Sequence, residues 1–128
     1  NKEKIDPRDG TKNFRSSKGF AFMDLTKFQE LAFLVRHELL TRNIKVDCIL
    51  LFGSQAKGTA HEDSDIDMAV ISKDFGVDRH KEQVLLGVIA AKINPAMELL
   101  PISLEKYLEV DTISPIVHEI QKHGVCLL

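Results

Sequence analysis

Two apolar segments, with a short polar stretch between them, constrain the fold of this chain more than any other feature. Residues 46–52 and 66–71 are rich in β-branched and aliphatic side chains, which favours two strands. Gly53-Ser54 directly follows the first segment, so we expect a turn into a short helix there, with free backbone N–H groups that suit an anion. Asp65 and Asp67 stand at the start of the second segment. A strand's period of two puts both carboxylates on one face, about 6–7 Å apart at the backbone, and a divalent ion can bind both.

An alternative interpretation treats the same residues as a polar hairpin connection. Gly53 and Gly58 would then be turn residues, and the acids would belong to a solvated loop. This interpretation does not explain why the acids continue into an apolar strand. The joint pattern therefore indicates phosphoryl or nucleotidyl chemistry.

The motif resembles a known signature. Gly-Ser, ten residues and then Asp-x-Asp are similar to the pattern of the nucleotidyltransferase superfamily typified by DNA polymerase beta, and the short chain resembles its minimal nucleotidyltransferase (MNT) proteins. The resemblance implies the polymerase beta-like fold, an α/β (α+β) domain with a small mixed β-sheet flanked by helices. It also implies ATP as substrate and Mg²⁺, with two ions held by Asp65 and Asp67.

The resemblance assigns further roles in the site. Gly53 and Ser54 would bind the β- or γ-phosphate, and Lys57 would add a point charge unless it is simply a solvated lysine. Glu98 lies among apolar residues of a third predicted strand, residues 97–102, where this family carries its third acid. Glu98 would complete the metal site or accept the proton of the attacking group, unless it points to solvent from an edge strand. Many family members have Arg where this chain has Gln55 and Lys57, which predicts weaker phosphate binding.

The remaining elements follow from caps and periodicity. Helices are predicted from Asp24 to near Asn43, over Arg79–Ile93 after the cap Asp78, and from Ser114-Pro115 to Gly124, with a Ser103-capped turn and a final short strand over residues 125–128. For Gly53 to meet Asp67, the first two strands must be antiparallel. For Glu98 to join them, the third must be parallel to the second.

Composition limits the class of protein. With 128 residues and a net charge of −2, the chain is one domain without the basic excess that neutralises a nucleic acid, which disfavours a polynucleotide substrate. No apolar run reaches the ~20 residues that span a bilayer, so we expect a cytoplasmic protein and no membrane. Cys48 and Cys126 are interpreted as core thiols. Residues 1–22 read as a flexible arm or a leftover of recombinant expression, and residues 23–128 as the nucleotidyltransferase domain.

Three functions remain open at this stage. The first is an adenylyltransferase that moves AMP from ATP to a hydroxyl, a Tyr, of a helical HEPN-type toxin and so acts as its antitoxin, as the MNT resemblance implies. The second is a non-catalytic antitoxin that silences its partner by binding. The third is a small-molecule nucleotidyltransferase, which is disfavoured because the chain has no room for a second domain. Apolar residues on several faces of the first helix, Phe28, Phe33 and Leu40, predict a protein interface, with a homodimer as an option.

Overall fold

Four strands form one mixed sheet in the computed structural model, which describes residues 25–61 and 64–128. The sheet order is β3-β2-β1-β4, and β2 is antiparallel to β1 and parallel to β3. The predicted directions of the first three strands are therefore confirmed. The strands are β1 (Cys48–Phe52), β2 (Ile66–Ser72), β3 (Met97–Ser103) and β4 (Val125–Cys126).

Five helices surround the sheet in the described residues: α1 (Leu25–Leu40), α2 (Gly53–Lys57), α3 (Arg79–Ile93), α4 (Leu104–Tyr107) and α5 (Pro115–His123). Side-chain caps open three of them, as predicted. The carboxylate of Asp78 accepts a hydrogen bond from the N–H of Lys81 at 3.2 Å, and Ser103 and Ser114 cap α4 and α5 in the same way. These caps satisfy backbone donors that the first turn of a helix leaves free.

The ends of three elements differ from the sequence-based expectation. Helix α1 stops at Leu40, and a turn follows in which Asn43 adopts φ of 62°, a conformation that asparagine tolerates better than most residues. Strand β1 begins at Cys48 rather than at residue 46, and just before it the carboxylate of Asp47 accepts a hydrogen bond from the N–H of Lys73. Strand β4 has two residues rather than four, although the N–H of Leu127 still donates to the carbonyl of Ile49.

The two faces of the sheet carry different elements. Helices α1 and α3 cover one face, here called the α1/α3 face, where Ile49 and Leu51 of β1 are buried with Phe28 and Ile89. Alternate residues of the strands point to the opposite, α4/α5 face. There Leu50 and Phe52 pack with Ala69, Ile71, Ile102, Val117 and Ile120. The candidate site lies on this second face.

Strand β3 forms one edge of the sheet, and its outer side is partly covered. Pro101 has no N–H to offer a further strand, and the side-chain amide of Gln83 on α3 donates to the carbonyl of Leu99 at 3.0 Å. This edge position determines the environment of Glu98.

Some predictions fall on residues outside the described ranges. They concern the arm of residues 1–22 and the cap Asp24. Within the described ranges, no helix has both the length and the apolar character needed to cross a membrane.

Candidate active site

The pairing of three strands brings the predicted acids together. Phe52, the last residue of β1, lies opposite Asp67, and Asp67 lies opposite Glu98. Because Phe52 packs on the α4/α5 face, its cross-strand neighbours Asp67 and Glu98 project from that face as well. Asp65 precedes Asp67 by two residues and acts on both other carboxyl groups electrostatically. The structure thus joins Asp65, Asp67 and Glu98 in one cluster.

Gly53 brings the turn directly against this cluster. Its φ is +73°, a conformation that residues with a side chain adopt only at a cost, and an added Cβ would clash with Oδ2 of Asp67 and lie 3.3 Å from its Cγ. Any side chain at position 53 would therefore displace the acid. The predicted anion-binding turn therefore lies directly against the acid cluster at Asp67.

Two polar side chains of α2 remain available for a ligand. Within the described residues, the half-buried hydroxyl of Ser54 makes no hydrogen bond, while the carbonyl of Ser54 accepts the N–H groups of Gly58 and Thr59. Gln55 is buried, and the hydrogen bonds among the described residues do not include its amide. A buried amide without a partner is costly. Gln55 is thus a candidate ligand contact that the sequence analysis did not assign.

Lys57 has a partner that sequence reasoning missed. Its Nζ lies 3.4 Å from Oε2 of Glu119 on α5, and both side chains are partly exposed. Glu119 also acts on Asp67. The pKa of Asp67 is raised first by burial, then by the charge of Asp65 and then by that of Glu119. Glu119 belongs to the site although no motif marks it, since only the packing of α5 on the sheet brings it there.

Glu98 occupies an exposed position on the edge strand. The edge-strand position that the sequence left open is the one observed, and the apolar neighbours Met97 and Leu99 point to the α1/α3 face while Glu98 points to the other. Its carboxyl group nevertheless faces the cluster. The charge of Asp65 raises the pKa of Glu98 most, followed by burial, by the charge of Asp67 and by a proton that Glu98 can share with Asp65.

The acids suit a hard divalent cation. Repulsion from neighbouring carboxylates contributes to the raised pKa values of Asp67 and Glu98, and a cation among the acids would relieve that repulsion. No three His, Cys, Asp or Glu side chains of the described ranges form a ready-made metal cage. Mg²⁺ does not require one, since it commonly binds one or two carboxylates and completes its shell with phosphate oxygens and water. Asp65 and Asp67 fit this role, with Glu98 beside them.

The loop before the acids is held by Ser64. The hydroxyl of Ser64 accepts the N–H of His61 at 2.9 Å, and the N–H of Ser64 donates to the carbonyl of His61 at 2.9 Å. Ser64 therefore shapes the turn before the acids. His61 itself is exposed at the loop's start.

The two thiols lie on the same face, at the far end from the acids. Cys48 pairs with Ile71 in the strand register, and Cys126 pairs with Leu50. Both cysteines are free and only half-buried, so they lie at the margin of the core rather than inside it as predicted. Burial raises the pKa of Cys48 to about 11, with smaller contributions from Cys126 and Asp47. Such a thiol is a poor nucleophile at neutral pH.

This arrangement of turn and acids has counterparts in known proteins. Residues 37–128 match the family described as Polymerase beta, Nucleotidyltransferase. The chain belongs to this family. The enzyme class predicted from the motif, a nucleotidyltransferase, and the predicted fold are thereby confirmed.

Relatives of this nucleotidyltransferase domain include a Methanocaldococcus jannaschii protein described as a candidate protein adenylyltransferase. The two are 29% identical over 83 residues, which cover 63% of this chain and 78% of the relative. A solved structure of a candidate nucleotidyltransferase from Sulfolobus solfataricus superposes with a TM-score of 0.55 at 13% identity, covering 98% of this chain and 90% of that one. This second likeness is one of fold alone. A toxin–antitoxin structure with AMP-PNP is 28% identical and has a TM-score of 0.46, with 73% of this chain and 70% of that chain covered.

Proposed function

We propose that this domain transfers AMP from ATP, in a Mg²⁺-dependent reaction, to the hydroxyl of a Tyr on a partner protein. The observation that carries the proposal is the strand register that sets Asp67 between Phe52 and Glu98. It places the Gly53-Ser54 turn on one side of the acid pair and Glu98 on the other. The name of the Methanocaldococcus relative, a protein adenylyltransferase, supports a protein as acceptor.

Each residue of the candidate site has a separate part in the proposed reaction. Ser54, with its free hydroxyl, and the N–H groups of the turn bind the β- or γ-phosphate, and Lys57 adds a positive charge. Asp65 and Asp67 hold Mg²⁺, two ions in the family pattern, which neutralises charge on the triphosphate when bound. Glu98 lies across the acid pair from the phosphate turn, where an acceptor must approach in line.

The transfer balances without any further reactant. The acceptor oxygen forms a bond to the α-phosphorus while the bond from that phosphorus to the bridging oxygen breaks, and pyrophosphate leaves. The hydroxyl proton must go to a base. Glu98, which lies opposite Asp67 in the strand register, is the candidate for this role, and completing the metal site is its alternative role.

We propose a helical HEPN-type toxin as the acceptor, so that the domain acts as an antitoxin. The MNT resemblance of the motif supports this partner. Helix α1 also leaves Phe33 and Leu40 half exposed, which gives a partner apolar surface to cover. Phe28, which was predicted to share that surface, is instead fully buried against the sheet, because it lies on the stripe of α1 that faces the core.

The direct test is to incubate the protein with ATP labelled at the α-phosphate, Mg²⁺ and the product of the neighbouring gene. We expect label on a Tyr of that partner, as seen by peptide mass spectrometry, and a stable complex by light scattering. Asp65→Asn is the matched control, because it keeps the shape of the side chain and removes the charge. Label that reaches only a small molecule would contradict a protein acceptor.

A non-catalytic antitoxin would behave differently in the same experiment. Asp65→Asn would then neutralise the partner as well as the unaltered protein does, at equal molar amounts. The free Ser54 hydroxyl and the clustered acids favour catalysis over this alternative, since a domain that only binds has no need of either.

A further inference from the structure

The ion pair of Lys57 and Glu119 stands at the edge of the acid cluster. Lys57 is four residues after Gly53 on α2, so the two residues lie on the same side of that helix. Gly53 abuts Asp67, and the charge of Glu119 acts on Asp67, so the side chain of Lys57 lies near both carboxylates. In the structure it pairs with Glu119, at 3.4 Å.

The pairing of Lys57 with Glu119 affects how readily the acids can bind a cation. A lysine ammonium bound to Asp67 would neutralise the carboxylate and compete with a divalent cation for the same oxygens. Within the described ranges, no Lys or Arg side chain forms an ion pair with Asp65, Asp67 or Glu98. Lys57 is the cation placed to do so, and Glu119 holds it elsewhere.

The pair contributes little to folding. Its side chains are 47% and 33% exposed, and exposed ion pairs typically stabilise a protein very little. The ion pair instead affects the position of the Lys57 ammonium group. Two carboxylates near one ammonium compete for it, so the presence of Glu119 lowers the share of time that the Lys57 ammonium spends at Asp67.

We propose that Glu119 is a positioning residue that keeps Lys57 away from Asp67. The carboxylate pair then stays open to the divalent cation, and Lys57 stays beside the phosphate turn, where the triphosphate takes it over from Glu119. The second half of this statement rests on the proposed function. The first half concerns only the free protein and the cation.

Binding of Mn²⁺, a spectroscopically visible substitute for Mg²⁺, tests the first half without any reaction. Mn²⁺ titrations by calorimetry and electron paramagnetic resonance would compare four proteins: unaltered, Glu119→Gln, Lys57→Gln and the double variant. We expect Glu119→Gln to weaken binding about fivefold, because the released lysine competes for Asp67. Lys57→Gln should bind no more weakly than the unaltered protein, and the double variant should differ from Lys57→Gln by clearly less than fivefold, because only the direct charge of Glu119 separates those two proteins.

The double variant separates this proposal from a simpler one. If Glu119 attracted the cation through its own charge, removing it would weaken binding equally with and without Lys57, and the proposal would be overturned. Unchanged binding by Glu119→Gln, or no Mn²⁺ binding by the unaltered protein, would overturn it too. Glu119→Asp, which keeps the charge, should restore part of the affinity, and thermal unfolding of every variant shows whether it is folded.

A matched ion pair elsewhere provides the control. Lys106 and Glu109 lie 3.3 Å apart with 41% and 43% exposure, at the end of α4 away from the acids. Glu109→Gln should leave Mn²⁺ binding unchanged. A failure of AMP transfer to any partner would show in the labelling experiment and leave these titrations intact, so the two proposals fail separately.

Discussion

The α1/α3 face and the α4/α5 face of the sheet differ in both covering and content. Two long helices cover the first face, and its core consists of apolar side chains such as Phe28, Met68 and Ile89, all fully buried. The second face has a smaller apolar centre. It carries the acids at one end and two thiols with Tyr107 at the other.

This difference assigns stability mainly to the α1/α3 face and function mainly to the α4/α5 face. Clustered carboxylates with raised pKa values cost folding free energy when they are ionised, since the folded state holds their protons more tightly than the unfolded state. The apolar α1/α3 face offsets that cost. Changes on the two faces should therefore have opposite signatures, loss of transfer on one and loss of stability on the other.

Asp67→Asn should give the largest effect on the functional face. Removing a charged ligand while keeping its shape should lower nucleotide transfer about a thousandfold, equivalent to about 4 kcal/mol of activation free energy. The midpoint of thermal unfolding should stay the same or rise at neutral pH, because the raised pKa of Asp67 marks a destabilising charge. Transfer rates and unfolding curves measure the two halves. Undiminished transfer would remove Asp67 from the metal site.

Ile89→Ala should give the opposite signature on the α1/α3 face. Ile89 of α3 is fully buried, and truncating such a side chain typically costs about 2–5 kcal/mol. Chemical denaturation should show that loss, while transfer by the folded protein at low temperature stays near the unaltered rate. A comparable loss of transfer in the folded variant would show that the two faces are coupled.

Gly53→Ala and Gly76→Ala form a matched pair that sharpens the comparison. Both glycines have positive φ, +73° and +97°, so each substitution should cost roughly 1–2 kcal/mol of stability. Only the Cβ at position 53 would meet Asp67. At position 76 it would meet Ser103, outside the acid cluster, at 3.1 Å. ATP titration should therefore show binding at least about tenfold weaker for Gly53→Ala alone, and equal affinities would reject the phosphate-turn assignment.

Alkaline pH probes the thiol end of the functional face, with the smallest expected effect. The pKa of Cys48 is about 11 in the folded protein against an ordinary 9.0. Its contribution to stability is therefore complete below about pH 9 and is lost as the pH rises through 11, by on the order of 1 kcal/mol after allowance for partial exposure. Denaturation midpoints between pH 8 and 11 should fall less in Cys48→Ser. The pKa of Tyr107 is also raised, mainly by burial, so ionisation of Tyr107 should cause part of the decrease in stability that remains in Cys48→Ser.

Local signals in the sequence account for much of the fold. Caps such as Asp78 and Ser114 satisfy the donors of their own first turn, and a strand's alternation needs no distant partner. The same holds for part of the site. Gly53-Ser54 follows the end of β1 and Asp65-x-Asp67 stands at the start of β2, so the requirement that they meet was enough to predict antiparallel pairing.

Tertiary structure alone decided the rest. Glu98 is exposed because it lies on the α4/α5 face of the edge strand β3, and the apolar residues beside it in sequence do not show which strand forms the edge or which face stays open. Glu119 reaches Lys57 and Asp67 only because α5, distant in sequence, packs on the α4/α5 face through Val117 and Ile120. From the sequence alone, a charged residue on an amphipathic helix is expected to face solvent. Its neighbours across the fold depend on long-range packing, which sequence periodicity does not encode.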